Sequence, residues 1–226
     1  MYAAVITPND MSIDIRIVPG LLPYREGWDM QHLLLEQVER GDAPETILIV
    51  EHMPVFTLGF HGNAANMLAD EKALKQRGAE ILRVERGGDI TFHGPGQIVA
   101  YPIIRLRDRH FGVKSYVDRL EQSVIDTCRT FGVNSERIEN ATGVWCGTGT
   151  ATERKICAIG VKVSHGITMH GLALNVTTDL DWFKLINPCG FTSKGVTSIA
   201  METGITPDFT QVTNILSENL LANLTE

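Results

Sequence analysis

Ile13, Ile15 and Ile17 alternate with Asp14 and Arg16, the period of a half-buried strand. The period then lengthens. Trp28, Leu34, Leu35 and Val38 recur at helical spacing, and Gly41 can end that helix. Residues 46–50 form a short apolar run that predicts a buried strand, and residues 70–77 predict a short helix stopped by Gly78. Strands are predicted over 81–84 and 98–104, on either side of a glycine-rich turn. Residues 113–131 predict a long amphipathic helix with Val117, Leu120, Val124 and Phe131 on one stripe. Residues 156–163 and 167–176 predict a hairpin turning at Ser164-His165-Gly166, and 196–199 a further short strand. Thr206-Pro207-Asp208 reads as a helix start, with a capping hydroxyl, Pro at the first position and an acid in the first turn. Val212, Ile215, Leu216, Leu220 and Leu224 then mark a terminal helix.

Helices interspersed with short strands and hairpins predict an α+β fold, a mixed β-sheet covered by helices, and not a regular βαβ repeat. No proline- or serine-rich linker, internal repeat or low-complexity tract divides the chain. A single domain over residues 1–226 is expected.

Composition narrows the class. The chain has 226 residues, 43% of them apolar, enough for a core without disulfide staples. Twenty basic against 27 acidic residues give a net charge of −7, which argues against a general nucleic-acid binder. The charge is uneven. Residues 105–119 carry Arg105, Arg107, Arg109, Lys114 and Arg119 against Asp108 and Asp118, a net +3. That run reads either as a docking surface for an acidic partner or as solvated arginines around a helix start. No secretory signal and no apolar span of 18 residues is visible, so a cytoplasmic protein with no membrane partner is expected. Four scattered cysteines, 128, 146, 157 and 189, suit reduced thiols of that compartment.

Chemistry concentrates in three places. Arg86-Gly87-Gly88-Asp89-Ile90-Thr91-Phe92-His93-Gly94-Pro95-Gly96-Gln97 holds four glycines and a proline among polar side chains. Such a stretch either makes a channel with backbone walls or two surface turns. It is neither a phosphate-binding P-loop nor a dinucleotide fingerprint. Cys189, between Pro188 and Gly190, lies on a turn where a thiol can be exposed and nucleophilic, whereas Cys128, Cys146 and Cys157 sit in apolar runs that suggest core thiols. Lys155 opens a strand, a position that usually solvates its charge. A partly buried lysine there can instead stabilise a thiolate or give up its own proton. The spacing of cysteines and histidines offers no zinc motif, and no Gly-x-Ser-x-Gly elbow occurs.

Taken together and in order, these segments resemble the lipoyl(octanoyl) transferase family. The resemblance is carried by Glu51-His52-Met53-Pro54-Val55-Phe56-Thr57-Leu58-Gly59, by Arg86 to Gln97 followed by Tyr101-Pro102, and by Lys155-Ile156-Cys157-Ala158-Ile159-Gly160. Thr168-Met169-His170-Gly171-Leu172-Ala173-Leu174-Asn175 and Asn187-Pro188-Cys189-Gly190 complete it. The resemblance implies the catalytic fold of biotin and lipoate protein ligases. It implies transfer of an octanoyl group from octanoyl-acyl carrier protein to a lysine of a lipoyl domain, the first step of endogenous protein lipoylation. The acceptors implied are the lipoyl domains of 2-oxoacid dehydrogenase E2 subunits and the glycine cleavage H protein. By position, Cys189 would be the acyl-thioester nucleophile and Lys155 the residue that lowers its pKa. Arg86, Gly87, Gly88, Asp89, Ile90, Thr91, Phe92 and His93 would line the acyl site, with Ala158, Ile159, Gly160, Gly171, Leu172 and Ala173. No cofactor and no metal is implied.

The chemistry suits these residue types. Thioester exchange needs a thiolate, and the donor is already activated, so no ATP is required. A nearby ammonium favours the thiolate, and a neutral lysine can take the proton of the attacking amine. Backbone amides can stabilise the tetrahedral oxyanion. An alkyl chain among apolar side chains gains ~0.8 kcal/mol per buried CH2. The small polar stretch 146–154 reads as a mobile approach to Lys155. Three alternatives stand beside this reading: an ATP-dependent lipoate or biotin ligase of the same fold, a non-catalytic acyl-protein binding module, and a thioesterase.

Overall fold

The computed structural model describes residues 12–187 and 194–225. Alternation along the central strands places helices on both faces of one sheet. In β2 (Glu45–His52), Ile47 and Ile49 join one core while Leu48 and Val50 join another. In β6 (Gln97–Ile103), Ile98 and Ala100 face the first core and Val99, Tyr101 and Ile103 the second. Such strands, buried on both faces, read as continuous apolar runs.

Among the described residues the larger sheet has eight strands, in the order β1-β2-β6-β10-β9-β8-β7, with β11 beside β9. These are β1 (Ile13–Leu22), β7 (Glu136–Ile138), β8 (Ala141–Cys146), β9 (Arg154–Ser164), β10 (Ile167–Asn175) and β11 (Gly195–Val196), with β2 and β6. β1–β2 and β9–β11 are parallel pairs and the rest antiparallel, so the sheet is mixed. The β9–β10 hairpin turns through His165 and Gly166, both at positive φ, the type I′ geometry suited to a two-residue loop.

α1 (Tyr24–Arg40) covers one face through Leu34, Leu35 and Val38, and ends at Gly41 in a left-handed C-cap. α3 (Val113–Thr130) and α5 (Phe209–Thr225) cover the other. Their facing stripes are Tyr116, Leu120, Val124 and Cys128 against Val212, Leu216, Leu220 and Leu224, all at i, i+4 spacing. At ~1.5–3 kcal/mol per buried large apolar side chain, this seam is a main source of stability. The stripe of α3 is centred one residue from the expected one, because Val117 and Phe131 are only partly buried. α5 also begins later than expected. Asp208, and not Thr206, caps it, accepting from the amides of Thr210 and Gln211.

A second sheet of three strands stands beside the first. β3 (Val55–Leu58) pairs in parallel with β4 (Glu80–Arg83) and antiparallel with β5 (Ile90–His93). Its apolar face, Phe56, Leu58, Ile90 and Phe92, packs with Leu74 of α2 (Glu71–Gln76) and with Phe183 and Ile186. The strand expected over 196–199 is shorter. β11 stops at Val196, and the Ser198 hydroxyl accepts from the Met201 amide to start α4 (Ile199–Thr203).

The basic run 105–119 is largely spent on structure. Arg109 is buried against Glu45 and donates to the Leu224 carbonyl at 2.9 Å. Arg105 donates to the Val38 carbonyl, Arg119 to that of Asn223, and Lys114 pairs with Asp118.

Candidate active site

A cleft opens where the second sheet meets the α1-side face of the first. Its middle is apolar, with Ile90, Val99, Ala158, Ile159, Leu172 and Ala173. One end holds Lys155, Trp145, Lys194 and Asn175, and the other His170, Tyr101, Tyr24 and Arg86. Strand register sets this order, because Gln97 lies opposite Asn175, Val99 opposite Ala173, and Gly160 opposite Gly171.

The glycine-rich segment forms one wall. Gly88 has positive φ, and the turn it makes is stitched to its neighbours by backbone hydrogen bonds. Gly87 N–H donates to the Val161 carbonyl at 2.9 Å, and Phe60 N–H to that of Arg86 at 2.9 Å. Arg86 is buried and donates to the Thr57 carbonyl at 2.6 Å and to Thr57 Oγ1 at 2.9 Å. Asp89 accepts from the Asn63 amide at 3.0 Å and from the Asn66 side chain.

From Arg86 an ordered chain of hydrogen bonds crosses the site. Thr57 Oγ1 accepts from Arg86, so its own proton is directed at His93 Nε2, 3.4 Å away. His93 Nδ1–H then donates to Gln97 Oε1 at 2.8 Å. Gln97 Nε2 donates to Asn175 Oδ1 at 2.9 Å, and Asn175 Nδ2 to the Thr197 carbonyl at 3.0 Å. Each link fixes the orientation of the next. Burial holds His93 well below the ordinary imidazole range, so it is neutral, as one donor and one acceptor require.

At the opposite end of β9, Lys155 Nζ donates to the Thr142 carbonyl at 3.0 Å and lies 4.6 Å from the centre of the Trp145 ring. Lys194 lies 4.9 Å from the same ring and pairs with Glu153 at 2.8 Å. β11 returns beside β9 with Gly195 opposite Arg154 and Val196 opposite Lys155. Cys189 lies outside the described residues. Its described flanks are Asn187, whose amide donates to the Asn66 carbonyl at 2.7 Å, and Lys194, which lines the cleft.

Of the wall residues expected from the sequence, Arg86, Gly88, Asp89, Ile90, Thr91, His93, Ala158, Ile159, Gly160, Gly171, Leu172 and Ala173 share this cleft. Gly87 and Phe92 do not line it. Gly87 is turned to β9, and the Phe92 ring stacks on Trp182 at 5.1 Å in the core of the second sheet. Tyr24, Gln97, Tyr101, Trp145, His170, Asn175 and Lys194 line the cleft without having been expected to. Cys128, Cys146 and Cys157 are buried core thiols. Burial pushes Cys128 and Cys146 up to about 12 and Cys157 further, which leaves them protonated and inert.

The sequence family described as lipoyl protein ligase A/B catalytic domain matches residues 23–221. An octanoyltransferase of Bacteroides fragilis is 49% identical over 209 residues, 90% of this chain and 95% of that protein. Among solved structures, the bipartite lipoate protein ligase of Thermoplasma acidophilum aligns with a TM-score of 0.68 at 17% identity, covering 94% of this chain and 84% of that one. Biotin protein ligase of Aquifex aeolicus aligns with a TM-score of 0.55 at 12% identity, covering 93% and 70%. Fold and relatives define an acyltransferase built on the catalytic fold of these ligases. The chain belongs to the lipoyl protein ligase A/B catalytic domain family.

Proposed function

We propose that this chain transfers an octanoyl group from octanoyl-acyl carrier protein to a lysine of lipoyl domains, through a thioester on Cys189. The observation that carries the reading is the position of Lys155. It stands at one end of an apolar cleft, beside the strand into which the segment bearing Cys189 leads. Its ammonium favours the Cys189 thiolate, which attacks the donor thioester carbon and expels the carrier thiol. The acceptor amine then attacks the octanoyl-cysteine, its proton passes to a base such as neutral Lys155, and the Cys189 thiolate leaves. The apolar middle of the cleft suits an alkyl chain, and its wall residues hold that chain in place. The acceptors are the lipoyl domains of 2-oxoacid dehydrogenase E2 subunits and of the glycine cleavage H protein, and the reaction belongs to the cytoplasm. No helix among the described residues is long and apolar enough to cross a membrane.

Incubation with octanoyl-acyl carrier protein without ATP, followed by intact mass, tests this. The expected result is a hydroxylamine-sensitive octanoyl adduct on Cys189 that passes to added lipoyl domain. No adduct, or an undiminished adduct in Cys189→Ala, removes the mechanism. Lys155→Ala should raise the pH at which Cys189 is alkylated, while Cys128, Cys146 and Cys157 stay unlabelled until the protein is denatured.

A further inference from the structure

One peptide unit of β8 carries Lys155 on one side and a buried acid on the other. The Thr142 carbonyl accepts from Lys155 Nζ at 3.0 Å. The Gly143 N–H, the other polar end of the same planar peptide, donates to Oε1 of Glu121 in α3 at 2.9 Å. In a regular sheet the flanking strands would take both ends. Here the pairing of β8 with β7 jumps from Ala141 to Trp145, and its pairing with β9 begins at Val144, so Thr142 and Gly143 fall outside both ladders. Gly143 bends the strand at φ 119°, a conformation open to glycine. An added Cβ there would lie 2.6 Å from the Cys157 carbonyl oxygen and 3.3 Å from Lys155 Cε, so the lysine stem runs against the bare α-carbon.

Glu121 is 5% exposed and follows Leu120 of the apolar stripe of α3, where a hydrocarbon side chain would carry no desolvation cost. Its carboxylate is held from two sides. Oε1 takes the Gly143 amide, and Oε2 takes Arg137 Nε at 3.0 Å. Arg137 is fixed in turn by the Asp118 carbonyl at 2.5 Å and by Gln122 Oε1 at 3.1 Å. Carboxylate, N–H, C=O and ammonium thus follow one another with their charges and dipoles aligned. Hydrogen bonds in such a series polarise one another, so a carboxylate at the N–H end makes the carbonyl a stronger acceptor for the ammonium. Lys155 also lies near Lys194, which pairs with Glu153 beside the Trp145 ring, and near the protonated Cys157 thiol of its own strand. Its neighbour Arg154 is paired with Glu202 of α4.

We propose that Glu121 is a positioning residue for Lys155, acting through the Thr142–Gly143 peptide to fix the ammonium at the cleft end and to favour its charged form. This inference rests on the role given to Lys155 in the acyl-transfer reading above. Two hydrogen bonds and one peptide unit separate Nζ from Oε1, so the charges are about 8 Å apart at most. At that separation they still couple in a partly buried site. Arg137 binds the other carboxylate oxygen and is 39% exposed, so it offsets that field only in part.

The nuclear magnetic resonance signals of Lys155 Cε and of the Gly143 amide, followed against pH in the wild type, Glu121→Gln and Lys155→Met, test it. Gln keeps an acceptor for the Gly143 amide, and Arg137 keeps its bonds to Asp118 and Gln122, so a purely structural Glu121 would leave the titration of Lys155 in place. In Glu121→Gln the Lys155 proton should instead be lost at a pH lower by about 0.5 or more. The pH at which Cys189 is alkylated should rise, and octanoyl transfer should fall about three- to tenfold in kcat with KM little changed. In the wild type the Gly143 amide should titrate in step with Lys155, and in Lys155→Met that step should vanish. If Glu121→Gln does not fold, judged by its melting curve, the Gly143 titration in the wild type decides alone. An unmoved Lys155 titration in a folded Glu121→Gln overturns the inference, as does a wild-type Gly143 amide indifferent to Lys155. Alkylation of Cys189 with the same pH profile in Lys155→Met and the wild type overturns the role of Lys155 in the acyl-transfer reading itself, a distinguishable result.

Discussion

Gly160 of β9 and Gly87 of the glycine-rich turn approach so closely that a Cβ on Gly160 would lie 2.7 Å from the Gly87 carbonyl oxygen. That contact, with the Gly87 N–H to Val161 bond, sets how near the turn stands to the large sheet and so the width of the cleft.

Gly160→Ala should push the turn outward and widen or distort the cleft, lowering octanoyl transfer more than tenfold at a stability cost of about 1–3 kcal/mol. Gly171→Ala should be more damaging to folding. Its Cβ would lie 2.1 Å from the Ala100 carbonyl on the paired strand, inside the sheet itself. Transfer kinetics and urea unfolding of both variants check this. Full activity in Gly160→Ala would mean that the turn moves freely.

The parts of the molecule legible in the sequence are those encoded locally. The i, i+4 spacing of Leu216, Leu220 and Leu224 and the two-residue turn at His165-Gly166 need no distant partner to be recognised. The second sheet is different. β3 has four residues, all buried, with no alternation to mark its period, and it pairs with β5 more than 30 residues away. The residue types of the Gly-rich segment and Lys155 marked them as candidates. Gln97 and Asn175 become one unit only through the register of β6 against β10, and His170 drew attention by motif alone until its strain and unpaired nitrogens were visible. Ile199 continued an apolar run in the sequence, yet the Ser198 cap makes it helical.

Arg109 and Glu45 form a buried pair, with side chains 2% and 10% exposed, and Glu45 also accepts from the Arg105 amide at 2.5 Å. Removing one partner strands the other charge in the core. Arg109→Ala should therefore cost about 3–5 kcal/mol. Lys114→Ala, which breaks an exposed helical pair, should stay within about 0.5 kcal/mol. Replacing both buried partners by leucine should recover part of the loss. Urea titrations measure all three, and equal costs for Arg109→Ala and Lys114→Ala would remove the distinction.

Burial lowers the pKa of His52 and His170 to about 4 and of His93 well below its usual value. Each stays neutral in the native protein, while its unfolded form takes up a proton near pH 6.5. Below that pH the unfolded state binds more protons, so stability present above pH 6.5 is lost as pH falls towards 4. The loss approaches about 1.4 kcal/mol per pH unit for each histidine. The melting temperature should fall steadily between pH 6.5 and 5. Calorimetry in buffers of differing ionisation enthalpy should show up to three protons taken up on unfolding at pH 5. His170→Asn should lower that uptake by about one. An unchanged uptake would mean that His170 is already protonated in the folded protein.

The chain of hydrogen bonds from Arg86 to Thr197 joins the glycine-rich wall to the strand that follows the segment containing Cys189. Its last side chain is Asn175, which accepts from Gln97 and donates to the Thr197 carbonyl. Thr197 in turn donates its amide to the Lys155 carbonyl at 2.9 Å. Asn175 therefore ties the level of Lys155 to His93 and Arg86 through two amides whose orientations are fixed. Asn175→Ala should leave a buried Gln97 N–H and the Thr197 carbonyl each short of a partner, at about 1–3 kcal/mol. Its distinguishing effect should be local. Hydrogen exchange at Gly195 and Thr197 should quicken by tenfold or more while α3 and α5 exchange more nearly as in the wild type, and octanoyl transfer should fall through kcat more than through KM. Asn175→Asp keeps an acceptor for Gln97 but sets a buried carboxylate against the Thr197 carbonyl in place of the donor, so it should loosen the same amides at least as much as Asn175→Ala. Exchange at Gly195 and Thr197 that does not change in either variant would mean that the β9–β11 pairing holds this segment by itself.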